Sequence, residues 1–104
     1  MSNGAAMGAE GRSEPRDEVH HRARATAVDG TAIPLLVVNM SATGLMARCE
    51  TACSVGDVIG VHLPIVGRVA AEIRWSLGGR IGCQLDRTIP LADYYPVLAA
   101  MAKG

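Results

Sequence analysis

The chain has 104 residues, with ten Lys or Arg balanced by ten Asp or Glu. That length holds one domain with one modest core, and the balanced charge excludes a global field that would gather nucleic acid or anionic lipid. The three cysteines, Cys49, Cys53 and Cys83, are odd in number, and Cys49-x-x-x-Cys53 lacks a second cysteine pair or a nearby histidine pair, which favours reduced structural thiols over a disulfide framework or a zinc site.

In chain order, residues 1–11 are small and polar and read as a disordered tail ahead of a single domain over residues 12–104. They contain no apolar signal core, and the longest apolar run, residues 32–38, is too short to cross a bilayer, so a soluble, cytoplasmic protein without membrane insertion is expected. Residues 12–21, RSEPRDEVHH, are charged and carry Pro15, which disfavours a helix and predicts an extended arm.

From His21 the pattern alternates, with Arg22, Arg24 and Thr26 on one face and Ala23, Ala25 and Ala27 on the other. Asp29-Gly30 then predicts a two-residue hairpin turn. Further strands are expected at residues 32–39, 44–49, 58–63, 68–75 and 80–85, the last two joined around SLGG. Six short strands at intervals of about ten residues indicate an antiparallel barrel or sandwich, here over residues 22–87. Residues 91–102 lack strand alternation and predict a closing helix with Pro96 near its first turn. With no Phe and one Trp, the core rests on Val, Ile, Leu and Ala. A barrel so small is filled by its own side chains, which sends any ligand to the outer surface.

Two motifs stand out. Arg12 and Arg16 in RSEPR are the only arginines spaced four apart, and NMSATG at 39–44 places Asn39, Ser41 and Gly44 at the end of a strand. The arginine pair alone is weak, because nine arginines scattered over the chain give roughly 0.7 such pairs by chance; the second pattern is rarer, at about 0.04. Their joint placement carries the weight, since the arm precedes the first strand and the turn ends the second strand of the same hairpin.

This arrangement, R-x-x-x-R, then 22 residues, then N-x-S-x-x-G, resembles the PilZ family, bacterial cytoplasmic barrels that bind cyclic di-GMP. The later GRVAAEIRWSLGGRIGCQL is similar to the family's second half, and the resemblance spans residues 12–85. It implies an all-β fold, a six-stranded antiparallel, Greek-key-like barrel of PilZ type with a C-terminal helix and a flexible N-terminal arm. It further implies cyclic di-GMP as ligand with no other cofactor, Arg12 and Arg16 gripping it, and Asn39 and Ser41 presenting polar groups to a guanine. Gly44 would supply a backbone conformation closed to side chains with a Cβ, and Trp75 would stand beside the ligand. Asp17 follows Arg16 where the family usually has an aliphatic residue, and its carboxylate could compete for the guanidinium.

The implied protein is a receptor that changes arm conformation on binding and signals to an unidentified protein effector; the alternative is an interaction module of the same fold that does not bind the nucleotide. No triad, metal cluster or phosphate loop suggests an enzyme. A DNA-binding barrel lacks both net positive charge and a row of stacking aromatics.

Overall fold

A computed structural model describes residues 16–102 and shows six strands and one helix. The strands are β1 Asp17–Thr26, β2 Ala32–Met40, β3 Gly44–Arg48, β4 Val58–Leu63, β5 Gly67–Leu77 and β6 Arg80–Leu85, followed by α1 Leu91–Ala102. All neighbouring strands pair antiparallel and close into a barrel in the order β1-β2-β3-β6-β5-β4. The tail, Arg12 and the arm up to residue 15 lie outside the described residues.

The inward positions carry the aliphatic side chains the composition requires. Ala25, Val37, Val61, Ala71 and Ile73 have no solvent exposure, and Ile33, Leu35, Leu45, Val69 and Ile81 complete much of the interior. Each buried Val, Leu or Ile contributes about 1.5–3 kcal/mol relative to exposure, so the barrel needs no aromatic centre. On α1, Tyr94, Val97 and Met101 bury one face against the barrel. The Tyr94 hydroxyl donates to Asp17 Oδ2 at 2.6 Å and lies 3.2 Å from the Met40 carbonyl, which ties the helix to the start of β1.

Three expectations are corrected. First, β1 begins at Asp17, not at His21, because Asp17 and Glu18 already pair with Met40 and Asn39. A bulge between Glu18 and His21 breaks the period-two pattern there, which made the opening of the strand read as an arm. Second, the first hairpin does not turn on two residues. Ala27 N–H donates to the Thr31 carbonyl and Gly30 N–H to the Ala27 carbonyl, leaving a three-residue loop closed by Gly30 at φ 90°. Asp29 accepts from the Thr31 N–H at 2.9 Å, and hydrogen bonding from the Thr31 side chain, then from this backbone N–H, holds its carboxyl below the ordinary value. Third, Pro96 is the sixth helical residue and so lies in the second turn. Both Pro96 and Ala92 are exposed, so water can satisfy the Ala92 carbonyl that the missing N–H would have met.

The other tight turns follow their sequences. Gly78 and Gly79, at φ 61° and 79°, join Leu77 to Arg80 as a type I′ turn, which demands two left-handed residues. Between β4 and β5, Val66 N–H donates to the Pro64 carbonyl at 2.7 Å across Ile65, whose φ is 70°. A β-branched residue there carries a left-handed cost of about 1–2 kcal/mol, while glycine loses about 0.5–1 kcal/mol in chain entropy. Ile65 is exposed, so Ile65→Gly is expected to stabilise the fold by about 0.5–1 kcal/mol in urea denaturation.

Among the described residues, no helix is long and apolar enough to cross a membrane.

Candidate ligand-binding site

Two further bulges shape the outer face. In β2 the register slips between Val37 and Asn39, leaving Val38 unpaired against β3; in β5 it slips between Ile73 and Trp75, leaving Arg74 unpaired against β6. Strict alternation would send Asn39 inward with Val37, and Trp75 inward with Ile73. The extra residue in each strand reverses that phase. Asn39 becomes half-buried, and Trp75 turns outward with 40% of its surface exposed.

The registers then align Asn39 with Met46, Met46 with Gly82 and Gly82 with Trp75 across four strands. At about 4.8 Å per strand, this row spans roughly 14 Å. It forms the floor of a groove of about 520 Å³, whose walls include Arg16, Thr43, Gly44, Arg74 and Gln84. The Trp75 indole lies directly over Gly82, where any Cβ would sit 2.0 Å from Nε1. Glycine at 82 is therefore required to seat the ring.

Arg16 stands at one end of the groove, and its Nη1 donates to Asn39 Oδ1 at 3.0 Å. Arg74 stands toward the other end and donates from Nη1 to Gln84 Oε1 at 2.5 Å. Among the described residues no carboxylate lines the groove. Asp17, which could have claimed Arg16, is engaged by Tyr94 instead. The geometry offers two guanidiniums with replaceable neutral partners, an amide and an indole face: donors for phosphate or a purine edge, and a stacking surface.

The Asn-Ser-Gly turn is held from within. Ser41 N–H donates to the Gly44 carbonyl at 2.8 Å, and the Ser41 hydroxyl accepts from Thr43 N–H at 3.3 Å. Leu85 N–H and Ile89 N–H bind the Thr43 and Ala42 carbonyls, fastening the turn to the end of β6 and the segment beyond. Ser41 is 2% exposed and lies beneath the turn, not on the groove wall. Its place in the pattern is explained by this local bonding. Gly44 is required for a different reason than a left-handed backbone, since its φ is not in that region. An added Cβ would stand 2.8 Å from the Cys83 carbonyl oxygen, so glycine permits β3 and β6 to approach.

Of the six residues expected at the site, Arg16, Asn39, Gly44 and Trp75 meet in the groove, Ser41 supports it from below, and Arg12 lies outside the described residues. Sequence reading missed Arg74, Gly82 and Gln84. Alternation along GRIGCQL did mark Gly82 and Gln84 as outward; nothing marked Arg74, whose position depends on the bulge.

Cys49 and Cys53 do not line the groove; Cys83 does, as a buried residue. Cys49 and Cys53 have their sulfurs 3.7 Å apart, and among the described residues no group of three or more His, Cys, Asp or Glu could hold a metal. Burial, reinforced by Cys53 and Cys49, pushes the Cys83 thiol up to about 12; burial, then the hydrogen bond and charge of Cys49, pushes Cys53 up to about 11. Raised folded values favour the protonated native thiols, so their stabilising contribution is complete below the ordinary thiol pKa and is lost as pH rises through about 11–12. At pH 8 about one such thiol in a thousand or fewer is ionised. Iodoacetamide is expected to modify Cys53 and Cys83 about a hundredfold more slowly in native than in denatured protein, read by mass spectrometry.

No curated protein matches the chain. A family model described as PilZ domain matches residues 10–95, which takes in the whole barrel and both motifs. The closed six-stranded antiparallel barrel, its C-terminal helix and this match together place the chain in the PilZ domain family.

Proposed function

We propose that this protein is a cyclic di-GMP receptor and adaptor that binds the dinucleotide across the outer-face groove. PilZ domains are binding modules for this second messenger. The reading for this chain is carried by the groove itself, which has a guanidinium toward each end, an indole beside one of them and, among the described residues, no carboxylate on its walls.

On binding, Arg16 leaves the Asn39 oxygen and forks onto a phosphate or onto guanine O6 and N7. Arg12, at the first arginine position of the family motif, joins it from the segment ahead of β1. Asn39, once released, presents its amide to the guanine edge, and Trp75 offers a face for stacking. Arg74 exchanges its bond with Gln84 for a contact at the other end of the ligand. The rearranged arm and the bound nucleotide then form a surface that a protein effector reads, an order change of the kind switches use.

Titration calorimetry with cyclic di-GMP tests the proposal, and Trp75, the sole tryptophan, supplies a second signal. Saturable heat with a matching change in indole fluorescence is the expected result. Neither signal at high micromolar nucleotide would leave a PilZ barrel that serves as a protein-interaction module without the ligand.

A further inference from the structure

The outer face carries a second cationic feature next to the groove. Arg22 pairs in register with Leu36, Leu36 with Arg48, and Arg48 with Arg80, so three arginines and one leucine form a row across β1, β2, β3 and β6. Arg24, two residues beyond Arg22 on the same face, pairs with Pro34. All four arginines are exposed. Among the described residues none of them makes a hydrogen bond or ion pair, unlike Arg16 and Arg74.

Arg48 directly opposite Arg80 opposes folding, because like charges facing each other across a ladder repel. No hydrogen bond or ion pair among the described residues offsets that repulsion. Local rules broken without internal compensation concentrate where a protein meets something else. Between the two cationic flanks lies a groove of about 510 Å³ whose walls include Arg22, Pro34, Leu36, Arg48, Glu50 and Thr51.

We propose that this arginine row is a docking surface for an acidic segment of a partner protein, one with carboxylates on both sides of an apolar side chain. The apolar residue seats on Pro34 and Leu36, and the carboxylates meet Arg22 or Arg24 on one flank and Arg48 or Arg80 on the other. Nucleic acid fits less well. The row offers no aromatic for stacking, and the apolar walls have no counterpart on a phosphate backbone. The row lies two residues along β3 and β6 from Met46 and Gly82, about 7 Å from the floor of the nucleotide groove. The surface is independent of whether that groove binds cyclic di-GMP.

The test is fluorescence anisotropy at low salt with a labelled peptide, EDLEDLEDLE, and the 104-residue chain without nucleotide. Wild type is expected to bind the peptide, and Arg80→Glu to weaken it by about tenfold or more. That variant places unlike charges opposite each other, so its melting temperature should hold or rise. Arg87→Glu changes the net charge equally from a position off the row and should bind as wild type does. The proposal is overturned by any of three results: no anisotropy change up to about 1 mM peptide, equal weakening by Arg80→Glu and Arg87→Glu, or tighter, Arg80-dependent binding of a labelled DNA duplex than of the peptide.

Discussion

Replacing Arg16 by alanine is expected to weaken cyclic di-GMP binding by about tenfold to a hundredfold, the equivalent of about 1.4–2.8 kcal/mol. A hydrogen bond to a charged group contributes about 1.5–3 kcal/mol, and the guanidinium can form two at once. The free protein loses little by the change. Arg16 is exposed, and its only described partner is the half-buried Asn39, so the barrel should melt at the wild-type temperature. An unchanged Kd by calorimetry would mean that the nucleotide does not engage Arg16, whatever else it touches. Arg16→Lys sharpens the test. Lysine keeps the charge without the planar fork, so its affinity should fall between wild type and alanine if bidentate contact matters.

The outline of the barrel was legible because nearly every strand declares itself by period-two alternation broken by turn residues. Residues 80–85, observed as Arg80–Leu85, are an example; residues 32–39, observed as Ala32–Met40, showed themselves instead as an apolar run between turn residues. Gly78-Gly79 marked its hairpin because two successive left-handed residues are affordable only with glycine. The bulges were not legible. No residue type signals the extra position at Val38 or Arg74, yet these two insertions turn Asn39 and Trp75 from the core to the groove. The bulge in β1 likewise hid four residues of strand behind a charged, histidine-rich stretch. At the site, residue identities were readable and their reasons less so. Ser41 and Gly44 fit the family pattern, but one acts through the internal bonding of the turn and the other through strand spacing. The Gly44 reason depends on Cys83 in β6, about forty residues away in sequence, and a local motif does not encode the position of a distant carbonyl.

That distant carbonyl gives the second large expectation. Gly44→Ala should destabilise the protein by about 1–3 kcal/mol, the usual range for atoms forced into a packed site. The obstacle at 2.8 Å is the Cys83 backbone oxygen, which cannot rotate away as a side chain would. Relief requires β3 and β6 to separate where Gly44 pairs with Gln84 and Leu45 with Cys83. The strain falls on the turn as well, because the Gly44 carbonyl accepts from Ser41 N–H and Thr43 is tied to Leu85. Thr43, Gly44 and Gln84 all wall the groove, so nucleotide affinity should fall along with stability even though alanine removes no polar contact. Urea denaturation measures the first effect, and calorimetry at a temperature where the variant remains folded measures the second. A φ-based role for Gly44 would predict that asparagine, which tolerates left-handed backbone, rescues the site better than alanine. The close-approach account predicts the reverse order, since asparagine adds the same Cβ and more atoms beyond it. Comparing Gly44→Asn with Gly44→Ala therefore separates the two explanations, and equal or greater stability for the asparagine variant would refute the steric one.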